Sequence, residues 1–182
     1  GAANTNHDPL ASAHSPMLGD AGAKVHIVEF IDPACETCAQ FFALVKQLMA
    51  ENPNRIRLSI RHVAFHDGSD YVVKLLEASR KQDRYLPTLE ALLASQAHWA
   101  PHHTVQPDLV LQAIAGVGLN IEQLLVDMDS PEVAQRMEQD RHDAVTLKVT
   151  ATPEYFVNGR PMPSFGLQQL QTLVSEALQS AY

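Results

Sequence analysis

Hydrophobic and polar positions along this chain follow two different periods. From Lys24 to Ile31, "KVHIVEFI" is β-branched and nearly continuously apolar, which predicts a buried central strand. From Cys38 the apolar residues Phe41, Phe42, Val45, Leu48 and Met49 recur at helical spacing, so a helix is predicted to about Glu51, where "NPNR" breaks it. In "IRLSIRHV" the period returns to two, with Ile56, Leu58 and Ile60 facing one way and Arg57, Ser59 and Arg61 the other. Strand, helix and strand of these lengths make a βαβ unit, hence a parallel pair with a right-handed crossover.

The pattern then stays helical. "DYVVKLLEAS" and "LPTLEALLAS" both carry the helical period, with Pro87 tolerable in a first turn. Asp108 to Val117 predicts a third helix, ended by Gly118. Asn120 with Gln123 opens a fourth as a capping box, and Ser130-Pro131 caps a fifth that runs to about Leu147. "PEYFVNGRPM", Pro153 to Met162, is a strand followed by Asn158-Gly159, the dipeptide that tolerates positive φ at both hairpin positions. A last helix from Gly166 to about Gln179 places Leu167, Leu170, Val174 and Ala177 along one stripe. The order is β–α–β, a helical block, then β–β–α, an α/β fold without internal repeats.

Composition narrows the function. The chain has 182 residues, 46% hydrophobic and 19% charged, with a formal net charge of -8. No basic stripe is available to neutralise phosphates, which excludes nucleic acid as a partner. No run of eighteen apolar residues marks a membrane-spanning helix. Residues 1–23 are small, polar and punctuated by proline and glycine, which suggests a flexible arm. They contain no apolar core of a leader, so the protein is either cytosolic or a mature chain whose leader has been removed.

The chain holds two cysteines, Cys35 and Cys38, spaced C-x-x-C at the end of the first strand. A disulfide between them closes a very short loop and removes little unfolded-state entropy, so stability is a poor reason for the pair. Cys35 falls at a strand-to-helix junction, where unpaired N–H groups and the helix dipole stabilise a thiolate. Cys38 lies one turn later on the same face, placed to resolve a mixed disulfide. The expectation is an exposed nucleophile at Cys35 and a shielded resolver at Cys38. A zinc or copper site drawn from the cysteines and from His98, His102 and His103 of "HWAPHH" is the alternative, although the C-x-x-C has no second pair. Those histidines otherwise suit a solvated loop, and Trp99 among them suits packing between helices. Arg141, His142 and Lys148 fit surface charge at a helix end.

Glu29 stands inside the apolar strand, six residues before Cys35. A carboxylate there is costly unless neutral, paired or wet. It is either a buried proton acceptor beneath Cys38 or an edge carboxylate in solvent, and alternation does not fix its face. Thr152-Pro153 opens the late strand, where a cis bond is possible but uncommon. Tyr155 and Phe156 behind it suit the strand's core.

Taken together, "VHIVEFIDPACETC", "TATPEYFVNG" and the helical block between them resemble the DsbA family of thioredoxin-fold thiol:disulfide oxidoreductases, over about Pro16 to Ala181. The resemblance implies a thioredoxin-like domain over residues 24–66 and 149–182, interrupted by an all-helical domain over 67–148. It implies that Cys35 attacks and Cys38 resolves, and that Glu29 is the buried carboxylate. It implies a cis Pro153 against the disulfide, with the Thr152 backbone free to pair with a client strand. No organic cofactor and no metal are then needed, because the disulfide carries the electrons. The partners implied are cysteine-containing client proteins and a redox protein that recycles the site, with the chain a monomer or homodimer. Relatives of this type work in the bacterial periplasm or another extracytoplasmic space.

The departure lies between the cysteines. Strong oxidants of the family carry "PH" there, and this chain carries Glu36 and Thr37. A carboxylate near Cys35 costs its thiolate on the order of 1 kcal/mol, against the helix terminus acting the other way. Cys35 is therefore expected below free cysteine but above the strongest oxidants in pKa, which leaves oxidase, isomerase and reductase behaviour open. Isomerases of related type carry a separate N-terminal dimerisation domain, for which residues 1–23 are too short, and this weakens the isomerase reading without excluding it.

Overall fold

A computed structural model describes residues 3, 7–11 and 13–182. Among these residues, five strands form one sheet in the order β1-β3-β2-β4-β5. The strands are β1 (Met17–Gly19), β2 (Val25–Ile31), β3 (Ile56–His62), β4 (Glu154–Val157) and β5 (Arg160–Pro161). Helix α1 (Glu36–Glu51) joins β2 to β3, which run parallel as the βαβ reading requires. Between β3 and β4 come α2 (Ser69–Ser79), α3 (Tyr85–Ala94), α4 (Gln96–Trp99), α5 (Pro107–Ala113), α6 (Ile121–Asp127) and α7 (Pro131–Thr146). Helix α8 (Leu167–Ala181) closes the order, giving a thioredoxin fold with helices set into it.

Most local signals act where the sequence placed them, but the capping box at Asn120 closes on one side only, because the Gln123 side chain donates to Asp127 and the Asn120 N–H goes to Gln82. Asn120 accepts the N–H of Gln123 at 3.0 Å and Ser130 that of Val133 at 3.3 Å, capping α6 and α7. Asn158 and Gly159 take φ of 47° and 83° in the β4–β5 hairpin, the left-handed region that dipeptide tolerates. Trp99 is buried and donates its indole N–H to the Leu92 carbonyl at 2.9 Å.

Both faces of the sheet are covered. Ile27 and Ile31 of β2, Ile56, Leu58 and Ile60 of β3, and Tyr155 and Val157 of β4 pack with Phe41, Phe42 and Val45 of α1 in the main core, which runs on into the helical block. Val28, Phe30 and Phe156 face the other way, against Ala144 and Val149. Arg61 also faces that side and is fully buried, because α7 lies over it. Its guanidinium donates to Asp140 at 2.6 Å and also to Asp143, and sits 5.3 Å from the Phe30 ring. That pairing explains how α7 carries acidic residues on a buried face.

Two expectations need correction. The segment 1–23, expected as a flexible arm, is built into the fold in its described part. Met17–Gly19 pairs antiparallel with β3, and His7 and His14 bond Asp143 and Asp140 of α7 at 2.9 and 2.8 Å. Residues 1, 2, 4–6 and 12 lie outside the described residues. The helix expected over Asp108 to Val117 ends early, at Ala113, and a turn carries the chain to Gly118.

Candidate active site

Cys35 is the N-cap of α1, with extended backbone, and its sulfur accepts the N–H of Cys38 at 3.3 Å. A thiolate there meets the bare donors and the positive end of a sixteen-residue helix. The Cys35 thiol is lowered to about 5: hydrogen bonding by the Cys38 side chain contributes most, partial burial opposes it, and Thr152, the Cys38 N–H and the charge of His66 add to it. Cys38 is pushed far up, first by burial, then by donating to Cys35 and by that thiolate's charge. The expected contrast in access is smaller than expected: Cys35 keeps only 7% exposure, against 0% for Cys38.

The turn that carries Cys35 is held from two sides. Asp32, fully buried at the end of β2, accepts the N–H groups of Ala34 (2.9 Å), Phe65 (2.7 Å) and His66 (3.0 Å), the Ser69 hydroxyl (2.8 Å) and the His66 ring (2.8 Å). From α4, Gln96 donates to the carbonyls of both Pro33 and Cys35 at 2.8 Å. The His103 ring lies tilted against His66 at 5.2 Å between ring centroids and 3.5 Å from the Ala34 carbonyl, so one histidine of "HWAPHH" borders this turn instead of standing in a purely solvated loop. Glu36 is exposed and Thr37 half-buried. The charged group that acts most on Cys35 is thus His66, from the loop after β3.

The Thr152–Pro153 bond is cis, and the Thr152 carbonyl lies 3.7 Å from the Cys35 sulfur. Pro153 leads into β4, which pairs antiparallel with β2 and sets Tyr155 opposite Glu29. Glu29 is 0% exposed, which removes the edge-carboxylate reading. It alternates with Ile27 and Ile31, so it shares the α1 side of the sheet with Cys38. The Tyr155 hydroxyl donates to Glu29 Oε2 at 2.6 Å, while Oε1 is buried with no hydrogen-bond partner among the described residues. Burial raises the carboxyl to about 8, with the Tyr155 hydrogen bond pulling it the other way.

Sequence reasoning named Cys35, Cys38, Glu29, Thr152 and Pro153 as candidates, and the fold sets Thr152 beside Cys35, and Glu29 on the α1 side of the sheet. It passed over Asp32, His66, Gln96 and the hydroxyl of Tyr155. Asp32-Pro33 carried a legible turn-initiation signal. His66 and Gln96 arrive from distant segments and had none.

Among the described residues, the cysteines and the "HWAPHH" histidines form no group of three ligand atoms within 4.8 Å of one another. Among the described residues, the trio of potential ligand atoms lying within 4.8 Å of one another is His62, Glu77 and Asp140, and it contains no cysteine. Arg80 lies 2.9 Å and Arg136 3.7 Å from Glu77, and Arg61 2.6 Å from Asp140, so guanidinium groups already neutralise those carboxylates.

Comparison with known proteins agrees with the geometry. The family model described as Thioredoxin matches residues 11–176. The Na(+)/H(+) antiporter NhaA of Herminiimonas arsenicoxydans is 29% identical over 161 residues, which are 88% of this chain and 25% of that protein. The chain thus spans about a quarter of the length of the curated relatives it matches. A thioredoxin-like oxidoreductase from Silicibacter pomeroyi DSS-3 superposes with a TM-score of 0.80 at 29% identity, covering 93% of this chain and 95% of that one. Wolbachia pipientis alpha-DsbA1 superposes at 0.78 with 17% identity, covering 92% of each, a likeness of fold. With the family match running over most of its length, the chain belongs to the thioredoxin family and takes the DsbA-like form of that fold.

Proposed function

We propose that this chain is a thiol:disulfide oxidoreductase that exchanges disulfides with cysteines of other proteins. The observation that carries the reading is the asymmetry of the pair: a Cys35 thiol lowered to about 5 at a helix N-terminus, beside a Cys38 thiol raised by burial. In the oxidising direction, a client thiolate attacks the Cys35 sulfur of the Cys35–Cys38 disulfide. The Cys35–client bond forms, and Cys38 leaves and takes up a proton. A second client thiolate then attacks the client's own sulfur, expelling Cys35 as a stabilised thiolate. The client loses two electrons and the pair gains them; a redox partner protein returns the site to its disulfide. Run backwards, the same steps deliver Cys38 as the resolving nucleophile and Glu29 as the acceptor of its proton.

Thr152, with its carbonyl beside Cys35, offers a backbone acceptor to an extended client segment, and Pro153 borders the same strip of backbone. The disulfide serves as the redox group, with no organic cofactor or metal in any step. A Cys35 pKa near 5 falls between about 7 for thioredoxin-type sites and about 3.5 for the strongest oxidants. That supports disulfide donation or isomerisation over reduction, in an extracytoplasmic compartment where such chemistry persists.

The test is oxidation of a reduced, unfolded cysteine-containing protein by the preoxidised chain. One client disulfide forms per Cys35–Cys38 pair consumed; Cys35→Ala abolishes the transfer, and reduced Cys38→Ala offered a disulfide-bonded client accumulates a covalent Cys35–client complex, with one client thiolate released. Transfer that survives Cys35→Ala contradicts the proposal.

A further inference from the structure

We infer that Tyr155 is a positioning residue for proton transfer: its hydroxyl holds one oxygen of Glu29 and leaves the other as the atom that receives the Cys38 proton. This rests on the role proposed above for Glu29.

The observations are geometric. Tyr155 and Glu29 are register partners across β4 and β2, both fully buried, with the phenol donating to Oε2 at 2.6 Å. Among the described residues Glu29 Oε1 has no hydrogen-bond partner, which is rare for a buried carboxyl oxygen and costly unless the site uses it. The phenol ring is fixed by stacking on Phe41 of α1, with centroids 5.9 Å apart, so its hydroxyl has little freedom to turn elsewhere. Other titratable groups around the pair are few. Cys38 of α1 and Cys35 at its N-cap act on Tyr155, and the Tyr85 phenol feels Glu29 from α3. The β3 residue opposite Glu29 is Ile60, which carries no charge.

Two consequences follow for the chemistry. A hydrogen bond to the charged form of a buried acid favours that form, so Tyr155 opposes the desolvation that holds the Glu29 carboxyl near 8. Without it, the carboxylate that accepts the proton becomes scarcer at neutral pH. The phenol is itself raised well above its ordinary value, so it keeps its proton and acts only as a donor. When Cys38 resolves a mixed disulfide, its S–H proton passes to Glu29 Oε1 and a Cys38–Cys35 bond forms. The Cys35–client bond breaks, and the client sulfur departs with the electron pair. Tyr155 lies two residues beyond Pro153, so the segment that meets the client also holds the proton acceptor.

The experiment follows the resolution step from a preformed mixed disulfide between Cys35 and glutathione, by rapid quench across pH. In Tyr155→Phe the rate at neutral pH is expected to fall on the order of tenfold and to recover as pH rises. The infrared carboxyl band of Glu29 should titrate at correspondingly higher pH. A ring-fluorinated tyrosine at position 155, a stronger donor of the same shape, should shift both midpoints down; this arm stands if Tyr155→Phe fails to fold. In the Glu29→Gln background, Tyr155→Phe should leave the remaining rate unchanged. Unmoved midpoints in the Tyr155 variants, with Glu29→Gln still abolishing the pH dependence, overturn the role of Tyr155 alone. A pH dependence that survives Glu29→Gln overturns the role of Glu29 and this inference with it.

Discussion

The sulfur of Cys35 accepts the backbone N–H of Cys38 at 3.3 Å, so the first turn of α1 closes on the atom proposed to react. A thiolate lowered to about 5 is nearly fully formed at neutral pH. Alkylation of the reduced protein should therefore rise with pH around 5 and plateau well below pH 7. Cys38→Ala removes the largest stabilising contact and should move that midpoint up. A wild-type midpoint near the free-cysteine value of about 8.5 contradicts this assignment.

His66 supplies the cationic influence that the dipeptide Glu36-Thr37 lacks, and Asp32 fixes its ring at 2.8 Å. His66→Gln should raise the Cys35 midpoint by less than about one pKa unit, since His66 is one of several contributors. Unchanged titration would remove His66 from the site.

Glu29 ties stability to pH. Its carboxyl ordinarily titrates at 4.5 and is raised to about 8 in the fold. The folded state therefore binds the proton more tightly than the unfolded state. The stability of the neutral form is fully present below about 4.5 and is lost as pH rises through about 8. Glu29→Gln keeps a neutral acceptor for Tyr155 and should abolish that loss. In denaturant unfolding of the reduced protein, the variant's advantage should grow between those two values and level off above. An advantage independent of pH contradicts a buried, raised Glu29.

Arg61 bridges Asp140 and Asp143 with no solvent exposure. Arg61→Met leaves both carboxylates buried and should cost about 3–5 kcal/mol in unfolding free energy. A loss below about 1 kcal/mol would show that the other partners of the two acids, among them His7, His14, Gln139 and the His62 N–H, suffice to hold them.

The strands and helices that carry strong periodicity were legible: β2, α1 and β3 from the switch of period, α6 and α7 from Asn120 and Ser130. Strand β1 was not, because Met17–Gly19 is too short to alternate and becomes a strand only through its pairing with β3. Arg61 could be put on a face but not under α7, since burial of a charge depends on Asp140 and Asp143, which lie far along the chain. The same holds at the site. Cys35, Cys38 and Pro153 declared themselves through spacing and resemblance. Glu29 needed the sheet to fix its side, Tyr155 needed the β2–β4 register, and Asp32 needed the loop that brings His66 to it.

The central claim is that Cys35 and Cys38 form a redox couple whose thiolate is stabilised to an intermediate degree. Its most direct test is the equilibrium reduction potential of the pair in glutathione buffers. The expected value lies between about -120 mV, typical of the strongest oxidants, and about -270 mV, typical of thioredoxin. A value at or below about -270 mV, or no disulfide forming at all, would contradict it.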